Sequence, residues 1–181
     1  MRSFLTGKAD SVVQQLSGQS RYRVHVHECS HFLDVLRYSA VESLSQPWRY
    51  DVVVTCSSAD IACDALLLKP ASFTFQTPVS DGTPALPLRT VFGVVESFRR
   101  ISASNDETRY ALTIVPRIAL LNYTKGSEIY LNQSVTEVVE QVLRKHGLEG
   151  QDFEFRLSRE YPPRELITQW RETDLEFIRR L

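Results

Sequence analysis

Cysteine is scarce in these 181 residues. There are three, Cys29, Cys56 and Cys63, an odd number with no CxxC pair. That argues against a disulfide framework and reads as reduced thiols in a cytoplasmic protein. No run reaches the roughly 18 apolar residues that a membrane-spanning helix needs. The opening MRSFLTGKADSVVQQLSGQS lacks the continuous apolar stretch of a secretory signal and reads as a polar leader over residues 1–20. An excess of one charge is missing too. Lys plus Arg number 21 and Asp plus Glu 22, a net charge of -1, so nothing electrostatic points to nucleic acid or a membrane surface as partner. There is no G-x-S-x-G elbow, P-loop, dinucleotide glycine fingerprint or H-E-x-x-H, and no catalytic residue or cofactor is assigned. The acid pair Asp106-Glu107 lies in a turn-like stretch and reads as solvated loop charge rather than a glycosidase pair.

What is present is enough apolar material, 43% of residues, for a sizeable core. The charges are uneven: residues 1–121 hold 23 and the last 60 hold 20. The shift near LLNYTKGSE places an internal boundary there, giving a β domain over 1–121 and an α/β subdomain over 122–181.

The first part alternates as strands do. In RYRVHVH, Tyr22, Val24 and Val26 form the core face and Arg21, Arg23, His25 and His27 the other. FLDVLRYSAVE, WRYDVVVTCSS and SFTFQT read as further strands. RTVFGVVESFRRISAS and TRYALTIVPRIAL read as a long hairpin joined through SNDE. A short helix is expected from IACDALLLK, with Asp60 as its cap and Pro70 as its end. Asp81-Gly82 marks a turn. Gly93 inside a strand suggests a bulge or bend. Short strands separated by turns favour an antiparallel barrel or sandwich.

In the second part, Ser134 and Glu137 form a capping box, followed by the stripe Val135, Val138, Val139, Val142 and Leu143. Arg144, Lys145 and His146 suit the end of that helix, with Gly147 as its C-terminal cap. FEFRLS and LITQW read as strands and EYPPRE as extended chain. A second capping box, Thr173 and Glu176, opens a helix with Leu175, Ile178 and Leu181 on one side. The chain stops with that helix uncapped, which reads as a domain cut before its end.

YRVHVHECSHF places His25, His27, Cys29 and His31 at alternate positions, donors that suit zinc if they share a face. The polar ECSH breaks the alternation, so an exposed strand followed by a turn is the preferred reading. Trp48 and Trp170, each near arginines, offer stacking platforms for bases or sugars, but core or interface aromatics are the simpler reading.

YPPRELITQWRETDLEFIRRL closely resembles the signature Y-P-x-R-E-x-x-x-Q-Y-x-E-x-D-x-x-F-x-x-R-L of VgrG proteins, the spike-tip components of type VI secretion. The matching residues are Tyr161, Pro162, Arg164, Glu165, Gln169, Glu172, Asp174, Phe177, Arg180 and Leu181. IYLNQSVTEVVEQVLRKHGL is similar to another segment of the family. So is VESLSQPWRYDVVV, which supplies Glu42, Leu44, Ser45 and Pro47. RTVFGVVESF, with Gly93, and LTIVPRIALL, with Pro116, match in order as well. Trp170 replaces the usual Tyr, Trp48 the usual Phe, and Val91 stands where Phe is common.

The resemblance implies a mainly β fold with an α+β part: an antiparallel, phage-tail-hub-like barrel followed by a small α/β subdomain. It implies a structural, non-enzymatic role in a homotrimer. The hub base would dock on the hexameric Hcp tube and be driven into target cells, with PAAR protein and effectors attached through regions beyond this stretch. It implies delivery by the type VI machinery without a signal peptide. The stretch by itself is expected to be monomeric or weakly associating. The neighbouring alternatives are a hub of a contractile phage tail or related injection machine, and a metal-binding module using His25, His27, Cys29 and His31.

Overall fold

The computed structural model describes residues 21–78, 84–104 and 106–181. The polar leader, the Asp81-Gly82 turn and Asn105 of the SNDE connection lie outside the described residues. Contacts divide the chain into two compact units, Met1–Pro116 and Arg117–Leu181.

The first unit is a six-stranded antiparallel sheet. Its strands are β1 (Tyr22–Val26), β2 (Asp34–Val41), β3 (Arg49–Cys56), β4 (Pro70–Gln76), β5 (Pro87–Ala103) and β6 (Thr108–Val115), in spatial order β1-β4-β5-β6-β3-β2. Alternation sends Tyr50, Val52, Val54 and Cys56 of β3 inward and leaves Arg49 and Asp51 outward. β1 follows the expected facing, with Val24 and Val26 buried and His25 exposed. The sheet curls as a half-barrel until its two outermost strands approach. Tyr22 of β1 and Tyr38 of β2 lie 4.7 Å apart between ring centres, and Phe73, fully buried, is 5.0 Å from Tyr38 and 5.2 Å from Tyr50. Offset and edge contacts of this kind add to the burial of each ring.

Two expectations within this unit change. Asp60 does not cap a helix. Only a 3₁₀ turn, Cys63–Ala65, forms, with Ala62 at its N-cap position and no side-chain cap bond. Nor does Gly93 mark the bulge. The register shifts of β5 lie between Val95 and Ser97 and between Arg100 and Ser102. Gly93 answers to close packing instead: a Cβ there would sit 2.1 Å from the Val115 carbonyl oxygen and 2.7 Å from the Trp48 ring.

The second unit holds a 3₁₀ segment (Arg117–Tyr123), β7 (Lys125–Gln133), α1 (Val135–Lys145), β8 (Arg164–Thr173) and α2 (Asp174–Arg180). β7 and β8 pair antiparallel as a two-stranded sheet. Both capping boxes form. The Ser134 and Thr173 hydroxyls accept from the backbone N–H of Glu137 and Glu176, whose carboxylates accept in return from the cap backbone. Val135, Val138, Val142 and Leu143 are buried as the stripe requires, with Val139 partly so. α1 ends one residue before His146. Gly147, at φ +69°, donates to the Arg144 carbonyl and Leu148 donates to that of Leu143, a Schellman closure. FEFRLS forms no strand. It joins neither ladder, and Phe153 meets the core through its side chain, with Phe155 packed on it at 5.6 Å. No helix among the described residues is long and apolar enough to cross a membrane.

Candidate functional site

The signature segment occupies β8 and α2, and two of its polar residues turn fully inward. Gln169 is 1% exposed and Asp174 0%. Gln169 Nε2 donates to Asp174 Oδ1 at 2.7 Å and to the Glu172 carbonyl at 3.3 Å. His146 Nε2 lies 2.6 Å from the other Asp174 oxygen, tying the end of α1 to the start of α2. Burial alone would raise the Asp174 carboxyl. Hydrogen bonds from Gln169 and His146, with the positive charge of Lys145, hold it below the usual carboxylate range. Around it, Lys145 pairs with Glu128, and Tyr130 donates to Glu128 at 2.8 Å. Burial, with Glu128 beside it, pushes the Tyr130 hydroxyl up.

Arg180 closes the segment on itself. Its Nε donates to Glu172 at 3.1 Å and its Nη2 to the Thr168 carbonyl at 2.9 Å. Phe177 is fully buried and stacks on Tyr130 at 5.7 Å. Tyr161 is half-buried, whereas Pro162, Arg164 and Glu165 are exposed. The structure thus gathers Gln169, Glu172, Asp174, Phe177 and Arg180, packs Leu181 against the same core, and leaves Pro162, Arg164 and Glu165 at the surface. His146, Lys145, Glu128 and Tyr130 belong to the same network. Sequence reasoning gave His146 only a helix-end role, because its partner lies 28 residues away.

The opposite face of the β7–β8 sheet is apolar and uncovered among the described residues. Leu131 pairs with Leu166 and Ile129 with Thr168, and Trp170 stands one pair further on. Trp170 is 68% exposed, Ile129 67%, Leu131 62% and Leu166 57%. The Arg171 guanidinium lies 5.3 Å from the Trp170 ring, so this indole is a surface aromatic rather than a core one.

In the sheet unit, Glu42 anchors the loop after β2. Arg89 Nη2 donates to both Glu42 oxygens at 2.7 and 2.8 Å, and the Tyr50 hydroxyl donates to one of them. The Arg89 bonds draw the Glu42 carboxyl down. Burial and the carboxylate together push the Tyr50 hydroxyl up to about 12. Trp48 packs edge-on against Tyr50 at 5.4 Å, and Pro47 is half-buried. Between these anchors Ser45 takes φ +59° and Leu44 is 96% exposed. Pro116 is half-buried after β6.

The histidine-rich stretch bends away from a single face. β1 ends at Val26, Glu28 adopts φ +59°, and the Cys29 thiol donates to the His31 carbonyl at 3.7 Å. His25 stays on the outer face of β1 opposite Ser72. Among the described residues no three His, Cys, Asp or Glu side chains come together as a metal site.

Known proteins resemble this chain in sequence and in fold. Residues 41–181 match the family described as phage tail baseplate hub (GPD). The type VI secretion system spike protein VgrG4b of Pseudomonas aeruginosa is 31% identical over 165 residues, 91% of this chain and 19% of that protein. VgrG3 of Vibrio cholerae is 30% identical over 134 residues, 74% of this chain and 12% of that protein. The chain therefore spans a fifth or less of these curated relatives. A solved structure of the E. coli c3393 protein superposes with TM-score 0.77 at 38% identity, over 88% of this chain and 42% of that one. It is described as a type VI secretion component with structural similarity to the T4 bacteriophage tail proteins gp27 and gp5. A 43 kDa tail protein of prophage MuSo2 from Shewanella oneidensis superposes with TM-score 0.52 at 14% identity, over 88% of this chain and 48% of that one, a likeness of fold.

Proposed function

From the premise that this chain belongs to the phage tail baseplate hub (GPD) family, in its VgrG type VI spike branch, we propose that it forms part of the hub base of a secretion spike. In this reading the work is mechanical. A contracting sheath supplies the force, and the hub supplies stiffness and matched interfaces. The chain docks as part of a homotrimer on an Hcp tube, and PAAR protein and effectors ride on other parts of the spike. It waits in the cytoplasm and leaves without a signal peptide. No reaction centre is assigned to it. The greater identity to type VI proteins than to the prophage tail protein favours the secretion spike over a phage tail hub.

The observation that carries an assembly role is the uncovered apolar face of β7–β8, with Ile129, Leu131, Leu166 and Trp170 exposed while the reverse face is packed. Contiguous exposed apolar side chains on a soluble unit favour a partner, and aromatic residues at the centre of such patches carry much of the binding energy. A trimer matches a hexameric tube when each subunit presents two similar surfaces.

The test is a Leu166→Asp/Trp170→Glu double substitution in the whole spike protein. Both positions are exposed, so folding is expected to be unchanged. Release of tube protein into the medium is expected to fall at least about tenfold, as for loss of an interface hot spot. Undiminished release, together with trimers of unchanged stability in sedimentation, would overturn the reading.

A further inference from the structure

Outward-facing residues of β2, β3, β6 and β5 fall into three cross-strand rows. One is Asp34–Thr55–Arg109–Ser102, the next Arg37–Val53–Ala111–Arg99, and the third Ser39–Asp51–Thr113–Ser97. Arg109 and Asp51 of the outer two rows have ion-pair partners beside them. Arg109 bonds Glu107 at 2.8 Å. Arg49 bonds Asp51 at 3.0 Å and Glu96 at 2.9 Å, while Thr113 donates to Asp51 and Ser97 donates to Thr113, both at 2.8 Å. The middle row is not matched. Arg37 and Arg99 stand at its two ends with no ion-pair or hydrogen-bond partner among the described residues. Between them lie only half-buried Val53 and Ala111. All four residues line a groove of about 490 Å³.

Two β-bulges put these arginines there. Val35 of β2 and Val95 of β5 point into the core, at 9% and 0% exposure. Plain alternation from them would send Arg37, Ser97 and Arg99 inward as well. One extra residue in each strand, between Val35 and Arg37 and between Val95 and Ser97, reverses the phase. Tyr38 and Phe98 then take the core side, and the arginines take the outer side. Bulges commonly re-aim a side chain in this way. Here two bulges on strands that are not neighbours deliver unpaired cations to opposite ends of one row.

We propose that this row is a docking site for a carboxylate side chain of a partner protein, flanked by apolar residues. Arg37 and Arg99 grip the carboxylate from both ends, and Val53 and Ala111 form the floor under its neighbours. Arginine suits this role because its planar fork bonds a carboxylate through two parallel N–H donors. Charge complementarity selects an acidic occupant. The carboxylates of Asp51 and Glu96 in and beside the groove disfavour a phosphate backbone, whose charge extends in both directions, more than a single acidic side chain. The site rests on sheet geometry and does not depend on the hub reading.

The test is an amide and arginine side-chain NMR titration of the whole chain with the peptide acetyl-Val-Glu-Val-amide. The same peptide with Gln in place of Glu and inorganic phosphate are the comparison probes. The expected result is saturable shifts confined to Arg37, Val53, Ala111 and Arg99. They should weaken with salt and be absent with the Gln peptide. They should fall about tenfold in affinity in Arg37→Gln/Arg99→Gln, since two charge-assisted contacts are lost. Both arginines are exposed, so that variant keeps its fold, which an unchanged spectrum elsewhere verifies. Shifts of equal size with phosphate, shifts spread over all exposed arginines, or no saturable shift would each overturn the proposal. Failure here leaves the release assay for the hub reading unaffected.

Discussion

In the curled sheet, residues far apart in sequence are joined by packed rings. Tyr22, Tyr38, Tyr50, Phe73 and Phe75 lie in one aromatic cluster, with Phe73 at its centre. In the second unit directional polar bonds share that task with a smaller apolar core. Gln169, Asp174 and His146 link β8, α2 and the end of α1 in a small core. The difference follows from size. A six-stranded sheet folded on itself encloses enough apolar volume to set its own curvature. A two-stranded sheet with two helices buries less. Hydrogen bonds that are costly to leave unmade then specify where each helix begins and ends. Non-directional packing favours stiffness across many strands, whereas a polar network fixes one geometry at a junction.

Phe73→Ala removes the centre of the ring cluster and is expected to destabilise the sheet unit by about 3–5 kcal/mol. Hydrogen exchange should rise in β1, β2 and β4 while α1 stays protected. Loss of protection in α1 to the same degree would show that the two units are not separate in stability. Gly93→Ala comes next, at about 1–3 kcal/mol from overpacking. Because the Val115 carbonyl is the nearer obstacle, adding Trp48→Ala should not restore the thermal midpoint.

In the polar unit, Asp174→Asn is expected to cost about 1–3 kcal/mol, read by chemical denaturation, because partners of the carboxylate lose a charged acceptor. The pH dependence has a definite sign. The Asp174 carboxyl is held below its unfolded value in the folded chain. Its contribution is therefore complete above the unfolded value of about 3.9 and is lost as pH falls through the folded one. Stability of the second unit should drop on acidification below about pH 4 less steeply in Asp174→Asn than in the parent. An equal slope would remove the carboxylate from the account. Ser134→Ala gives the smallest change, about 1 kcal/mol for one lost N-cap, seen as earlier fraying of α1 in hydrogen exchange.

Much of this was legible in the residues. Alternation placed Val24 and Val26 inward, and Ser134-x-x-Glu137 and Thr173-x-x-Glu176 announced both helix starts. These signals are local: a strand face repeats every two residues, and a cap acts across three. The signature motif marked Gln169, Glu172 and Asp174 without saying why they matter. That reason is a burial pattern together with a histidine 28 residues earlier. Asp60 failed as a cap because the segment after it reaches the core through Ile61 and Leu66 with only a 3₁₀ turn between them. FEFRLS failed as a strand because alternation by itself supplies no pairing partner, and this stretch joins neither sheet.

The facing of β1 and β3, the starts of α1 and α2 and the family were written in short spacings or in ordered motifs. Only the tertiary structure decided that Gly93 yields to a carbonyl and a tryptophan, that Asp174 meets His146, and that two bulges turn Arg37 and Arg99 onto one outer row. Those outcomes depend on which strands become neighbours and in what register. That is settled by closing long loops around a shared core, a cost and a gain that no short window of residues contains.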